Sequence, residues 1–124
     1  MQEGVIILGH GSRREEANQE VRELVDMLRK KAEDIPYKEA FLSFGSPNLE
    51  EAVNHLVQEG VKRIVVTPLF LVTGNHIQKD IPRELERLRE KYPGVQLIPA
   101  SHLGPHPEIM GIVKQRINEA REVT

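Results

Sequence analysis

The order of apolar and amphipathic runs predicts an α/β fold, a three-layer sandwich in which a four-stranded parallel sheet is flanked by helices. Three observations carry this. Four times a short apolar run is followed by a segment with helical spacing, in the order βαβαβαβα. The connections between runs are short. The clearest runs are β-branched with little polar alternation, the pattern of strands covered on both faces. Right-handed crossovers then make the strands parallel and line their carboxyl ends along one edge, where open α/β sheets bind ligands.

The first strand is Val5-Ile6-Ile7-Leu8, and it stops at Gly9-His10-Gly11-Ser12-Arg13. Glycines on either side of a histidine let the backbone turn sharply and approach a ligand closely. Ser12 is expected to cap a helix beginning near Arg13. Ala17, Val21, Leu24, Val25 and Leu28 form the buried stripe of that helix, and Pro36 closes it off. The second strand lies between Tyr37 and Phe44, centred on Ala40-Phe41-Leu42. Gly45-Ser46-Pro47-Asn48 is a turn, and Ser46 or Asn48 caps a helix with stripe Leu49, Ala52, Val53, Leu56 and Val57, ended by Gly60. The third strand runs from Arg63 to Leu71, with Pro68 near its carboxyl end where pairing stops. Val72 to Lys79 is expected as a loop holding Gly74-Asn75-His76. Asp80 then reads as an N-cap and Pro82 as a first-turn residue of a helix marked by Ile81, Leu85 and Leu88, ending before Pro93-Gly94. The fourth strand, Val95 to Ala100, leads through Ser101-His102-Leu103-Gly104-Pro105-His106 to a last helix near Pro107. Ile109, Ile112, Val113 and Ile117 lie on one face of that helix, with Gly111 as its weak point.

Bulk properties exclude whole classes of function. A chain of 124 residues is expected to form one domain over 1–124. Its 39% hydrophobic and 29% charged residues are those of an ordinary globular protein. Net charge is −2 with both signs interspersed, so no nucleic-acid footprint is expected. The longest apolar stretch, Ile64 to Val72, is broken by Thr67 and Pro68 and falls short of the ~20 residues that span a bilayer. No leader pattern opens the chain, and a cytoplasmic location follows as the expectation. Cysteine is absent, so any metal must be held by histidine, carboxylate or water. Four strands make a small sheet with exposed edges, for which a homodimer is a natural remedy.

His10, Ser43, His76 and His102 each fall at or just past the end of a strand, so all four can approach one crevice. Two histidines at one edge favour a metal site or a general acid/base pair. The plainer alternative for His10 is a turn histidine satisfied by carbonyls; its strand-end position between glycines favours function. His106 reads as a surface residue near a cap, and His55 as structural or exposed. A phosphate site is less well supported. Gly9-His10-Gly11-Ser12 lacks the P-loop lysine, no G-x-G-x-x-G occurs, and Arg13 and Arg14 are displaced from the place a phosphohistidine would need. Ser12 and Ser43 lack a nucleophile-elbow context.

Leu8-Gly9-His10-Gly11-Ser12-Arg13, Phe41-Leu42 with Pro47-Asn48-Leu49-Glu50-Glu51-Ala52, Pro68-Leu69-Phe70-Leu71 with Gly74, His76 and Asp80-Ile81-Pro82, and Leu103-Gly104 with His106-Pro107 follow in order. Together they resemble the small CbiX-type sirohydrochlorin chelatases, nearly end to end. The resemblance implies a class II chelatase-like half-unit, the short members matching half of longer two-domain enzymes and working as homodimers. It implies ATP-independent insertion of Co²⁺ into sirohydrochlorin in anaerobic cobalamin synthesis, with no permanently bound cofactor. A nickel or iron chelatase on the same tetrapyrrole is the nearest rival, and a non-catalytic tetrapyrrole or metal carrier the rival from another class. By the resemblance His10 and His76 bind the incoming metal and assist removal of pyrrole protons, while Gly11, Ser12, Arg13, Ser43, Gly74, Lys79 and His102 serve the tetrapyrrole. An imidazole suits both tasks, since its unperturbed pKa near ~6.5 lets it ligate and accept a proton near neutral pH. Arg13, Arg14, Lys79 and helix N-termini are the candidates to meet the macrocycle's carboxylates. One departure stands out: relatives often carry glutamate in a Phe-Leu-Glu pattern where this chain has Phe41-Leu42-Ser43.

Overall fold

β-Branched residues dominate the first apolar run, and in the computed structural model they form the central part of β1 (Gln2–Gly9). The structure describes residues 2–32, 34–72 and 74–123, apart from the side chains of 75–77 and 123. Three further strands follow, β2 (Tyr37–Phe41), β3 (Val61–Pro68) and β4 (Gln96–Pro99), separated by α1 (Glu15–Lys31), α2 (Leu49–Gln58) and α3 (Asn75–Lys91) and followed by α4 (Pro107–Val123). The strands pair in parallel in the order β2-β1-β3-β4. Pro68 is the last residue of β3 and sits opposite Leu8, so its missing donor falls where the ladder ends.

Alternation along β1 sorts the layers. Ile6 and Leu8 join Ala40, Ile64, Val66 and Leu97 beneath α2 and α3, which contribute Leu49, Ala52, Val53, Leu56, Ile81, Leu85 and Leu88 to one core cluster. Burial of each valine, leucine or isoleucine among them stabilises the fold by roughly 1.5–3 kcal/mol. Gly9, on the other face, lies so close to α1 that a Cβ on it would stand 3.2 Å from a Val21 methyl. The β1→β2 crossover runs along the sheet in the opposite direction to the next two, which sends α1 to the opposite face. That gives the three layers.

The capping expectation for α2 is met by Asn48, whose side chain accepts from Glu51 N–H while the Glu51 side chain accepts from Asn48 N–H. Two other helix starts differ from expectation. Ser12 is not the cap of α1: the N-cap is Arg14, with no side-chain cap, and Ser12 Oγ instead accepts the Arg14 N–H at 3.1 Å in the preceding turn. α3 begins at Asn75 behind Gly74, so Asp80 is not its cap and Pro82 lies inside it rather than in its first turn. Gln78 N–H bonds to Gly74 O, opening the helix where a loop was expected. The expected stripe of α4 is also uncovered: Ile112, Val113 and Ile117 are 49%, 52% and 48% exposed, and Met110 is 65% exposed. Among the described residues, no helix is long and apolar enough to cross a membrane.

Candidate functional site

The four strand ends deliver their loops to one edge. Leu42 N–H bonds to Gly9 O and Ser43 N–H to His10 O at 3.1 Å, so the chain after β2 continues the ladder past the end of β1. Leu69 N–H bonds to Leu8 O, and Leu103 N–H to Phe70 O at 2.9 Å, which ties the loops after β3 and β4 into the same edge. His10 is exposed, with its imidazole tilted against buried Phe70 at 4.8 Å between ring centroids. One ring face is thereby steadied while the imidazole stays open to an incoming group.

Gly11 explains how closely two loops approach. Its φ is +90°, and a Cβ there would sit 1.5 Å from Ser43 O, an impossible distance. Its contact with Ser43 therefore needs glycine on two counts, backbone angle and space. Beneath the loops, Asn18 of α1 is a polar residue only 2% exposed. Its Oδ1 accepts from Ser12 N–H, while its Nδ2 donates to Ser12 O at 2.9 Å and Phe44 O at 3.0 Å. One carboxamide so satisfies backbone groups of both loops that flank His10.

Phe44 has φ +53°, a left-handed conformation that costs an L-residue with a Cβ about 1–2 kcal/mol. Its ring is stacked by the Arg13 guanidinium, 4.6 Å above the centroid. Arg14 pairs loosely with Glu16 at 3.9 Å, both exposed. A hydrogen bond from Arg22 holds the Glu15 carboxyl below its ordinary value, and the same guanidinium reaches Ser46 O at 3.4 Å in the loop after β2.

The expected site residues separate into groups. His10, Gly11, Ser12, Arg13 and Ser43 come together. Ser43 is exposed, and its hydroxyl lies 3.5 Å from His10 O. Gly74 is the exposed N-cap of α3, and Lys79 is exposed further along that helix. The His76 backbone lies in the first turn of α3, while its side chain is outside the described residues. His102 is half-buried and shares a pocket with Leu103, His106, Glu108 and Ile109. His106 is a capping residue of α4, its Nδ1 accepting the Glu108 N–H at 3.1 Å. Exposed His55 pairs with Glu59 on α2, away from these loops. Among the described residues, no group of three or more histidine or carboxylate side chains is placed to hold a metal ion.

Sequence reasoning passed over Asn18, Phe44 and Phe70. For Asn18 a signal existed: it precedes Val21 and Val25 by three and seven residues, in register with the buried stripe of α1.

A family model described as CbiX matches residues 4–120, almost the whole of this arrangement. The chain belongs to the CbiX family. Among similar proteins, the chloroplastic sirohydrochlorin ferrochelatase of Arabidopsis thaliana is 35% identical over 93% of this chain and 51% of its own length. The sirohydrochlorin cobaltochelatase of Sulfurisphaera tokodaii is 33% identical over 94% of this chain and 92% of its own. A crystal structure of a CbiX protein from Marinobacter aquaeolei VT8 superposes with TM-score 0.88 at 28% identity, covering 98% of this chain and 99% of that one. The sirohydrochlorin chelatase SirB of Bacillus subtilis subspecies spizizenii, solved in complex with cobalt, superposes with TM-score 0.89 at 28% identity, covering 96% of this chain and 51% of that one. This CbiX chain thus spans about half the length of some relatives and nearly all of others.

Proposed function

We propose that this CbiX chain is a sirohydrochlorin chelatase that inserts Co²⁺, acting in the cytoplasm as one domain over 1–124. The observation that carries the reading is His10: an exposed imidazole at the carboxyl edge of a parallel sheet, steadied by Phe70 and by the Ser43 bond to its carbonyl. The choice of cobalt is supported by relatives of matching length. Those from Sulfurisphaera tokodaii, Methanosarcina acetivorans and Methanosarcina barkeri, covered over 92%, 95% and 95% of their length, are sirohydrochlorin cobaltochelatases.

In this reading the metal is a substrate and not a resident group. His10 and His76 hold the arriving ion; as it passes to the four ring nitrogens, two N–H protons leave, and the two imidazoles that have released the metal take up one each. Two neutral ligands, without thiolate, hold a divalent ion weakly enough to give it away. Arg13 and Lys79 meet the macrocycle's carboxylates, helped by the backbone of Gly11, Ser12 and Gly74, with Ser43 and His102 at the margins. A homodimer completes the proposal, the second copy covering the apolar face of α4; relatives of twice the length support two units working together.

Metal insertion read from the visible spectrum of sirohydrochlorin, with Co²⁺, Ni²⁺ and Fe²⁺ compared, tests the function. The expected result is insertion faster than the uncatalysed rate and fastest with Co²⁺. His10→Ala and His76→Ala are each expected to lower the rate at least tenfold with unfolding midpoints unchanged. Tetrapyrrole binding without faster insertion would instead favour the carrier, a reading motivated by a hydroxyl at position 43 where the resemblance leads to the expectation of a carboxylate. In that case Ser43→Glu is the variant that would bring insertion back.

A further inference from the structure

Among the described residues, Phe44 is the only one besides glycine with a positive φ. Glycine or asparagine would occupy this backbone position at lower cost. The ring gains little burial in exchange, being 58% exposed. Its pose is nevertheless imposed: the buried Asn18 amide donates to Phe44 O, and neighbouring Ser43 is bonded to His10 O. The fold therefore fixes the backbone that presents this exposed aromatic ring next to the loop that carries His10. Arg13 lies over that ring, which places a cation beside an apolar surface. Exposed Leu71 and Val72 follow β3, and Leu103 follows β4, so further apolar side chains lie in the loops at the same sheet edge.

We propose that Phe44, with Arg13 stacked on it, is a binding subsite for the tetrapyrrole. The ring contacts the flat face of the macrocycle, and the guanidinium meets one of its peripheral carboxylates. This chemistry matches a planar, apolar molecule with an anionic rim, which neither a small anion nor a bare metal ion offers. The inference rests on the chelatase reading and adds a residue that does not touch the metal. An aromatic that serves binding and not folding makes a distinctive prediction: the backbone and the ring must respond oppositely when Phe44 is replaced.

The test uses the full chain and metal-free sirohydrochlorin, with binding followed by absorbance titration and stability by denaturant unfolding. Phe44→Gly and Phe44→Leu are both expected to weaken binding roughly tenfold, within the range found when a stacking aromatic is removed. Phe44→Tyr, which keeps the ring, is expected to bind within about twofold of the parent, as aromatic faces are interchangeable in stacking. Only Phe44→Gly is expected to raise the unfolding midpoint, because only it relieves the left-handed backbone. Mass in sedimentation is expected to be the same for all. Parent-like binding by Phe44→Gly, a lowered midpoint in it, or a changed oligomer would overturn the subsite. A parent protein that neither binds nor metallates sirohydrochlorin would overturn the chelatase reading, and the subsite with it.

Discussion

Two glycines with nearly the same backbone angle separate strain from contact. Gly11 has φ +90° and no room for a Cβ against Ser43 O; Gly60 has φ +89° and open space around it. Alanine at either position carries the conformational penalty, on the order of 1 kcal/mol. Only Gly11→Ala also drives the loops apart. Gly60→Ala is therefore expected to lower stability while leaving the insertion rate intact, and Gly11→Ala to lower the rate at least tenfold; parallel unfolding and insertion measurements check both. At this scale the sequence was informative where chemistry is local. A histidine between glycines after an apolar run is visible as a string. The Asn18 bonds to Ser12 and Phe44 join residues far apart in the chain, and no short pattern announces them.

At the scale of elements, α2 and α3 are clamped where Glu50 accepts from both Lys91 and Arg87. Lys91 first and Arg87 second hold the Glu50 carboxyl below its ordinary value of 4.5. A carboxyl lowered in the folded state stabilises the fold above its unfolded pKa, and that contribution is lost as pH falls through the folded value. Glu50→Gln is thus expected to be less stable than the parent near neutrality and equal to it in strong acid, with salt narrowing the gap because Arg87 and Lys91 are exposed and Glu50 is only half-buried. Denaturant unfolding across pH, at low and high salt, checks this. β1 and β3 were legible because β-branched runs have few alternatives, and α2 because its apolar residues recur at helical spacing behind a turn in which Ser46 or Asn48 could cap it. The start of α3 was not. Asn75-His76-Ile77-Gln78-Lys79 offers one apolar residue and no periodicity, and Pro82 imitates a first-turn proline although it lies inside the helix.

For the whole molecule, the βαβ alternation was enough to predict the sheet and its layers, since crossover handedness leaves few topologies. What it could not predict is that α4 would keep its apolar side chains outside. Helical spacing declares a face and is silent about what covers it. With a second copy as the cover, Ile112→Lys with Ile117→Lys is expected to give a monomer in sedimentation where the parent sediments as a dimer. A monomeric parent would remove the homodimer from the proposal. Loss of insertion by that monomer, with folding retained, would mark the assembled form as the active one.

The contact between Gly11 and Ser43 is made by main chain alone, and this has a consequence for how the family can vary. A loop held by its carbonyl and amide does not depend on the side chain it carries. Position 43 is therefore an interchangeable slot beside His10, open to the serine it holds and to a carboxylate side chain without rebuilding the edge. Such a slot lets single substitutions retune the chemistry while the scaffold stays still.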